Sequence, residues 1–328
     1  MNWKLIAIRW SVLLSFVMSL GFVTGCKKDH PIGSEKNPFK MYFVPAEDTN
    51  TIAISAKEIA KFLEKYISQK LYGKENGFYI TTSIPTSFIA VVEAFGTKRA
   101  DFAAINTFSY IMLKDRKKYP SEAILNVLRG DGESSYKGQI IAHVDSGIKT
   151  LDDLNGKRFA YTDPASTSGY VLPSILFKSK NINLGETTFA TRHDNVVVMV
   201  YQGQVDAGAT YYSPPVDGKP MDARTRVMSQ YPDVLEKVKI IDFTKPIPNA
   251  PWVLREGLFG DDVKKYQNFK MILQDGMLEF AKTENGKHVL SQLYNITGLV
   301  RASDEDFKEV RDMFAAAQFD PENFLKKK

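Results

Sequence analysis

Three hydroxyl side chains follow one another at Ser166, Thr167 and Ser168, within the run D-P-A-S-T-S-G-Y that begins at Asp163. They come after a strand-like apolar run and at the start of a predicted helix. Backbone N–H groups at a helix start have no partner within the helix, and the helix dipole there favours an anion. The hydroxyls add further donors, and Gly169 would leave room for a ligand to approach the backbone. The stretch therefore predicts an anion-binding turn.

Helix capping is a simpler interpretation of the same hydroxyls. Ser and Thr are common N-cap residues, so Ser166 or Thr167 alone would satisfy one backbone N–H group. Capping accounts for one hydroxyl of the three and leaves the other two available to a ligand.

Two loops earlier in the chain carry similar chemistry. Thr86 and Ser87 precede a predicted helix at 88–95, and Thr107 begins another helix after the strand-like run 101–105. In open α/β sheets, ligands bind beyond the carboxyl ends of the strands, where such loops lie. We therefore expect Thr86, Ser87 and Thr107 to face the anion from a second side.

Strand-like and helix-like segments alternate along the chain. Apolar strand patterns occur at 39–44, 78–82, 101–105, 123–128, 139–144, 157–162, 205–210 and 239–243. Helical spacing places apolar residues from Ile52 to Tyr66 on one face, and a helical tail is predicted from Asp261 to Gln318 with a break at Gly298. This alternation predicts an α/β fold whose mixed, mostly parallel sheets are flanked by helices.

The first 25 residues have the pattern of an export signal. Lys4 and Arg9 precede an apolar stretch at 10–23 that is short for a membrane span. The junction Val23-Thr24-Gly25-Cys26 resembles a lipobox, at which bacterial lipoproteins are cleaved and lipidated. Cys26 is the single cysteine, so it cannot form an internal disulfide. We expect an exported protein, lipid-anchored through Cys26 to the periplasmic or extracellular face of the bacterial cell membrane; an uncleaved apolar anchor is the alternative.

Composition argues against a nucleic-acid partner. The chain has 328 residues, of which 44% are hydrophobic and 25% charged, as in ordinary soluble proteins. Without Lys4 and Arg9, 41 basic residues stand against 38 acidic ones, a net charge of +3. The terminal run 326–328 is the one basic cluster in the sequence, so we expect no nucleic acid to bind.

Five segments together resemble the substrate-binding lipoproteins and periplasmic proteins of phosphate, phosphite and phosphonate ABC transporters. They are D-P-A-S-T-S-G-Y-V-L-P, R-H-D, G-Q-V-D-A-G-A, I-P-N-A-P-W-V-L-R and I-T-G-L-V-R-A-S-D-E-D-F. The resemblance covers nearly the whole mature chain, and S-T-S-G after D-P is its most specific part. It implies a type II periplasmic-binding-protein fold, in which two α/β lobes joined by two crossing segments close on a ligand.

The domain boundaries expected on this fold follow the chain in order. They are a lipoprotein signal peptide at 1–25, a lipidated tether at 26–38, the first part of lobe 1 at 39–133, lobe 2 at 134–248, and the return to lobe 1 with C-terminal helices at 249–328. The Gly- and Ser-rich stretch 130–138 and the extended stretch 246–255 are the expected crossings.

The resemblance also implies roles for individual residues. Ser166, Thr167 and Ser168 match residues that bind the phosphonate oxygens, and His193 matches a histidine that contacts the same group. A tetrahedral oxyanion needs several donors, and a histidine either donates from one nitrogen or carries a full positive charge. Taken by itself, His193 would be a surface or capping histidine.

Departures from the family bear on the ligand. In members that bind aminoalkylphosphonates, acidic residues hold the ammonium group, and this chain has Ser213 and Ala250 at those positions. Phe88 and Ile105 stand where such members usually have tyrosine. A buried ammonium would lack a partner here, so we expect phosphite, phosphate or methylphosphonate rather than 2-aminoethylphosphonate. Four aromatic residues either pack in the core or line a larger pocket: Tyr110, Tyr211, Tyr212 and Trp252.

The predicted function is the extracytoplasmic binding component of an ABC importer, a monomer without cofactor whose partners are a small oxyanion, the permease and the ATPase. A sensor or receptor for another ligand on the same fold is one alternative. A serine hydrolase using Ser168, His193 and Asp206 or Asp163 is another, but Ser168 lacks the G-x-S-x-G elbow. The sequence also has no H-E-x-x-H, P-loop or G-x-G-x-x-G motif, so we expect no enzyme activity.

Overall fold

The computed structural model describes residues 30–317, and the account below concerns the compact unit that begins at Ile32. The predicted signal peptide, Cys26 and the basic C-terminal run lie outside the described residues. Within the described part of the chain, no helix is both long enough and apolar enough to cross a membrane.

The helices and strands confirm an alternating α/β chain. The strands are β1 (Phe39–Phe43), β2 (Ile80–Ser83), β3 (Phe102–Ala104), β4 (Ser121–Leu128), β5 (Ser135–His143), β6 (Phe159–Tyr161), β7 (Thr187–Phe189), β8 (Ala207–Tyr212), β9 (Val238–Phe243), β10 (Ile247–Pro248), β11 (Pro251–Arg255) and β12 (Gly298–Arg301). The helices are α1 (Thr49–Tyr72), α2 (Phe88–Gly96), α3 (Thr107–Ile111), α4 (Leu172–Ser179), α5 (His193–Tyr201), α6 (Val234–Lys237), α7 (Val263–Lys282), α8 (Glu284–Tyr294) and α9 (Lys308–Ala316).

Two mixed sheets carry the two lobes. The first has the order β12-β4-β11-β3-β1-β2, and the second has the order β10-β5-β8-β6-β7 with β9 also paired to β5. In the first sheet, β1 pairs in parallel with β2 and β3, and the other three pairings are antiparallel. In the second, β6 pairs in parallel with β7 and β8, and β5 makes three antiparallel pairings. The expected mixed sheets flanked by helices are confirmed, with two parallel and three antiparallel pairings in each sheet.

Local sequence explains why the first helix forms where it does. The Asp48 side chain accepts a hydrogen bond from the Thr51 N–H at 2.9 Å and caps α1. Ile52 and Leu63 lie on the buried face of the helix. Gly73 ends it with a φ of 68°, a left-handed conformation that costs glycine little.

The chain crosses between the two sheets twice, after β4 at 129–134 and after β10 at 249–250. Hydrogen bonds join these two segments to each other. The Asn249 backbone N–H donates to the Ser134 carbonyl at 2.9 Å, and the Asn249 side-chain amide donates to the Glu133 carbonyl at 2.8 Å. The crossings are therefore held side by side at one edge of the space between the lobes.

Direct contacts also close the lobes against each other. The Asn106 amide donates to the Ala165 carbonyl at 3.0 Å, and the Phe108 N–H donates to the Thr167 hydroxyl at 2.9 Å. These bonds join the loop after β3 to the hydroxyl-rich turn after β6. The structure is thus a closed form in which groups from both lobes meet.

Candidate functional site

A buried cavity of about 60 Å³ lies between the lobes. The first lobe contributes the ends of β1, β3 and β11, and the second lobe contributes the hydroxyl-rich turn and the start of α5. The lining residues that carry polar side chains are Glu47, Asn106, Arg129, Tyr136, Ser166, Thr167, Ser168, His193, Tyr211, Trp252 and Tyr294. The remaining wall is apolar and includes Phe88, Ile105, Val127 and Ala250.

The three consecutive hydroxyl residues all line this cavity. Ser166 caps the turn, since its hydroxyl accepts from the Gly169 N–H at 3.1 Å. A π-helical turn, Thr167–Val171, follows and leads into α4. Capping and cavity lining therefore coexist: the Ser166 hydroxyl caps the turn, and Thr167 and Ser168, neither of which caps it, line the cavity.

Four other predicted site residues lie outside the cavity lining. Thr86 and Ser87 line a separate pocket beside Asp163, and Ser87 occupies the N-cap position of α2 without a side-chain capping bond. The Thr107 hydroxyl donates to the Pro248 carbonyl at 2.8 Å, next to the second crossing.

Gly169 also has a different role from the one expected. A side-chain carbon there would lie 2.2 Å from the Thr162 hydroxyl oxygen, so the missing side chain makes room for Thr162 rather than for a ligand.

His193 is held by hydroxyls of the second lobe. Its Nδ1 atom lies 3.1 Å from the Thr162 hydroxyl and 2.9 Å from the Thr210 hydroxyl. The Thr162 hydroxyl donates its proton to the Ala209 carbonyl at 3.2 Å, so it accepts from Nδ1. On this basis we assign the proton of the neutral ring to Nδ1, from which the Thr210 hydroxyl then accepts as well, and Nε2 is the acceptor.

The surroundings of His193 keep its ring uncharged. Burial, with a further contribution from the nearby Arg129 charge, lowers the pKa of His193 to about 3. The ring is only 5% exposed and packs edge-on against Tyr211 at 4.9 Å between ring centres. Of the two forms open to this histidine, the neutral one is favoured in the unliganded site.

The lowered pKa of His193 predicts a pH-dependent stability. Between pH 6.5 and 3 the unfolded chain binds a proton at this residue and the folded chain does not, so stability falls as pH falls, by about 1.4 kcal/mol per pH unit. His193→Asn removes the titration and keeps a polar atom at the δ position. Urea unfolding of the ligand-free protein at pH 7.5, 6, 5 and 4 should show a shallower slope in the variant. Parallel curves for the two proteins would contradict a neutral buried His193.

Charged residues that the sequence analysis did not single out also reach the cavity. Glu47 lies in the loop after β1, and its carboxylate is 3.6 Å from Arg226. Burial raises the pKa of Glu47, while Arg226 opposes that shift. Arg129 is the first residue after β4 and is 8% exposed. Arg129 follows an apolar strand directly, and that position was the signal that could have identified it; Glu47 stands four residues after β1 and carries no such signal.

The four positions at which the sequence analysis expects departures from the family lie at or beside the cavity. Phe88, Ile105 and Ala250 line it, and the Ser213 hydroxyl accepts a hydrogen bond from Arg129 at 3.3 Å. Of the four aromatic candidates, Tyr211 and Trp252 line the cavity. Tyr110 instead donates to Asp304 at 2.7 Å, and Tyr212 packs against Phe243 at 4.8 Å between ring centres.

The hydrolase arrangement is not formed. Asp206 pairs with Arg158 at 2.8 Å, and Asp163 accepts from the Ala165 N–H at 2.7 Å. His193 Nδ1 is bonded to threonine hydroxyls, where a catalytic triad needs a carboxylate. The geometry is that of a binding cavity with several donors.

Comparison with known proteins identifies the family. The sequence profile described as "ABC transporter, phosphonate, periplasmic substrate-binding protein" matches residues 41–307. A phosphonates-binding periplasmic protein of Escherichia coli (strain K12) is 26% identical over 234 residues, covering 69% of this chain and 62% of that protein. The phosphate-import protein PhnD of Mycolicibacterium smegmatis is 25% identical over 181 residues, covering 51% and 53%. The chain thus spans less than two thirds of the length of either relative.

Solved structures share the fold. A binding protein component of an ABC phosphonate transporter from Pseudomonas aeruginosa matches with a TM-score of 0.67 at 20% identity, covering 88% of this chain and 87% of that one. PhnD1 from Prochlorococcus marinus in complex with methylphosphonate matches with a TM-score of 0.67 at 17% identity, covering 86% and 98%. The two lobes and two crossings are those of a type II periplasmic binding protein, and with the matching profile the chain belongs to the periplasmic substrate-binding proteins of phosphonate ABC transporters.

Proposed function

We propose that this protein captures a small phosphorus oxyanion outside the cytoplasm and delivers it to the permease and ATPase of an ABC importer. The observation that carries the proposal is the meeting of Thr167, Ser168 and His193 in one buried cavity between two lobes. The family consists of substrate-binding components rather than enzymes. We further propose that Cys26 carries the lipid anchor, that residues 26–38 form its tether, and that the lobes comprise 39–133 with 249–328 and 134–248.

The size of the cavity favours a small ligand. A volume of about 60 Å³ is several times the roughly 10–15 Å³ that one water molecule needs. It is well below the roughly 300–1,000 Å³ of pockets for drug-sized molecules. Phosphate, phosphite and methylphosphonate, each with no more than five non-hydrogen atoms, match this space.

The donor and acceptor pattern favours an oxyanion that retains a proton. The hydroxyls of Thr167 and Ser168 and the amides of the turn donate to charged oxygens. Nε2 of neutral His193 is an acceptor, so it suits a P–O–H group. Sulfate and alkylsulfonates carry no proton at neutral pH and would leave Nε2 facing a bare oxygen, which the site should disfavour.

Binding by this site would be coupled to lobe closure. The Phe108 N–H bond to Thr167 and the Asn106 bond to the Ala165 carbonyl exist only when the lobes are together. A ligand that contacts both lobes binds the closed form better and shifts the population toward it.

Isothermal titration of the mature, unlipidated protein, stripped of ligand, tests this function. The panel is phosphate, phosphite, methylphosphonate, 2-aminoethylphosphonate and sulfate, with methanesulfonate as the matched control for methylphosphonate. We expect at least one of the three small phosphorus oxyanions to bind, and methanesulfonate to bind at least about tenfold more weakly than methylphosphonate. If no phosphorus compound binds, the proposed function is wrong.

A further inference from the structure

Arg129 differs from the other charged residue that lines the cavity, Glu47, in having no ion-pair partner among the described residues. Glu47 is paired with Arg226, whose Nε also donates to the Tyr211 hydroxyl at 3.2 Å. His193 is neutral. Glu47 is also close enough to act on the charge of Arg129, but among the described residues no carboxylate forms an ion pair with Arg129.

The hydrogen bonds of Arg129 are made to neutral groups. Among residues 30–317, its Nη1 atom donates to the Ser213 hydroxyl at 3.3 Å and to the Tyr294 carbonyl. Its Cζ atom lies 5.4 Å from the centre of the Tyr136 ring. A guanidinium stays protonated in proteins, and a buried charge without an opposite charge costs several kcal/mol. A negatively charged ligand in the cavity would supply the opposite charge that the Arg129 guanidinium lacks.

Two buried N–H donors in the cavity wall also indicate a ligand that offers hydrogen-bond acceptors. The Arg129 Nε and the Trp252 Nε1 have no hydrogen-bond partner in the described part of the chain, and both residues line the cavity. Buried polar atoms in native proteins are almost always hydrogen-bonded, so each unpaired one calls for an explanation. Because both atoms are donors, a ligand that offers acceptors satisfies them and one that offers further donors does not.

We propose that Arg129 is the charge partner of the bound ligand, and that the ligand is accordingly an anion without a cationic substituent. This inference rests on the proposed function and narrows it. An aminoalkylphosphonate would bring an ammonium into a cavity whose only carboxylate among its lining residues, Glu47, is already neutralised. Simple phosphonates and acidic phosphonates, in which a short substituent carries a carboxylate, both supply the missing charge.

Titration of three ligands into wild type and Arg129→Met tests the proposal. The ligands are methylphosphonate, phosphonoacetate and 2-aminoethylphosphonate. We expect wild type to prefer one of the two anions to 2-aminoethylphosphonate. Arg129→Met should weaken the preferred anion about 10- to 100-fold, the loss of one charged hydrogen-bonding partner, and should weaken 2-aminoethylphosphonate less. Arg129→Lys keeps the charge and should lose less affinity than Arg129→Met.

Arg224→Met is the matched control. Arg224 is also 8% exposed, but it is paired with Asp222 at 2.8 Å and does not line the cavity. Its variant should melt at a lower temperature yet bind with wild-type affinity. If Arg129→Met does not fold, the comparison of Arg129→Lys and Arg129→Gln with wild type replaces it.

The outcomes separate this inference from the proposed function. If Arg129→Met binds both methylphosphonate and phosphonoacetate more weakly than wild type, Arg129 contacts the phosphorus group. If only the affinity for phosphonoacetate falls, Arg129 contacts its carboxylate. Either result supports the proposal. If wild type prefers 2-aminoethylphosphonate, the ligand does carry a cationic substituent and that part of the proposal is overturned. If the variant binds the anions within twofold of wild type, Arg129 is not the charge partner. In both cases the oxyanion site stands. If wild type binds none of the three ligands and none of the wider panel, both ideas are overturned.

Discussion

Replacing Thr167 and Ser168 together by alanine is expected to weaken methylphosphonate binding about 100- to 10,000-fold. Each hydroxyl would lose a hydrogen bond to a charged oxygen, worth about 1.5–3 kcal/mol. Each 1.4 kcal/mol corresponds to a factor of ten in affinity. Isothermal titration measures the loss, and circular dichroism of the variant checks that the fold is kept.

Single substitutions can separate the contributions of the two hydroxyls to binding, because the Thr167 hydroxyl also makes a hydrogen bond between the lobes. The Thr167 hydroxyl accepts from the Phe108 N–H and so joins the lobes, whereas Ser168 makes no such bond to Phe108 and is hydrogen-bonded to Tyr136. The matched control is the double variant of Thr86 and Ser87 to alanine, which also removes two hydroxyls but outside the cavity. It should bind within about twofold of wild type. Wild-type affinity in the Thr167 and Ser168 variant would place the site elsewhere.

The part of the cavity built from one local stretch could be predicted from the sequence. Ser166, Thr167 and Ser168 share a turn, so their side chains reach one place whatever the rest of the chain does. Thr86 and Thr107 have the same chemistry, but the positions of their side chains depend on how the lobes and crossings pack. That packing turns Thr107 to the Pro248 carbonyl and Thr86 to another pocket.

Arg129 and Glu47 were missed because a single charge at the end of a strand usually lies in water. Burial of these two residues results from lobe closure, which brings Arg129 against Tyr136 and Glu47 against Arg226. No local pattern in the sequence encodes either contact. A charged residue at the end of a strand beside a lobe crossing, such as Arg129, is nevertheless a candidate for a buried residue that contacts the ligand.

Secondary structure was likewise predictable where a segment's own sequence determines it, and not where pairing with a distant segment does. Strands with apolar runs, such as β4, were predictable, and so was the buried face of α1. β7 has three residues and β12 has four, too few for an alternating pattern, and β12 interrupts the predicted helical tail at Gly298. Both strands lie at sheet edges and are defined by pairing with a distant neighbour.

A buried ion pair far from the cavity should dominate the stability of the first lobe. Asp101, before β3, is 0% exposed, and its carboxylate lies 2.5 Å from the Arg255 guanidinium at the end of β11. It also accepts from the Lys40 N–H at 2.9 Å, so it links β1, β3 and β11. Asp101→Asn leaves the Arg255 charge buried without a partner. We expect the free energy of unfolding, measured by urea titration, to fall by about 3–5 kcal/mol.

An exposed Arg–Asp ion pair with the same distance between its charged atoms serves as the control. Arg301 and Asp275 also lie 2.5 Å apart, but their side chains are 51% and 45% exposed. Asp275→Asn should lower the free energy of unfolding by no more than about 1 kcal/mol, because water screens the pair.

Asp101 lies at the end of β3 remote from the cavity, so Asp101→Asn should keep the ligand affinity of wild type while it remains folded. Equal destabilisation by the two variants would mean that burial does not set the strength of these pairs, and a loss of affinity in Asp101→Asn would mean that this end of the sheet is coupled to the binding site.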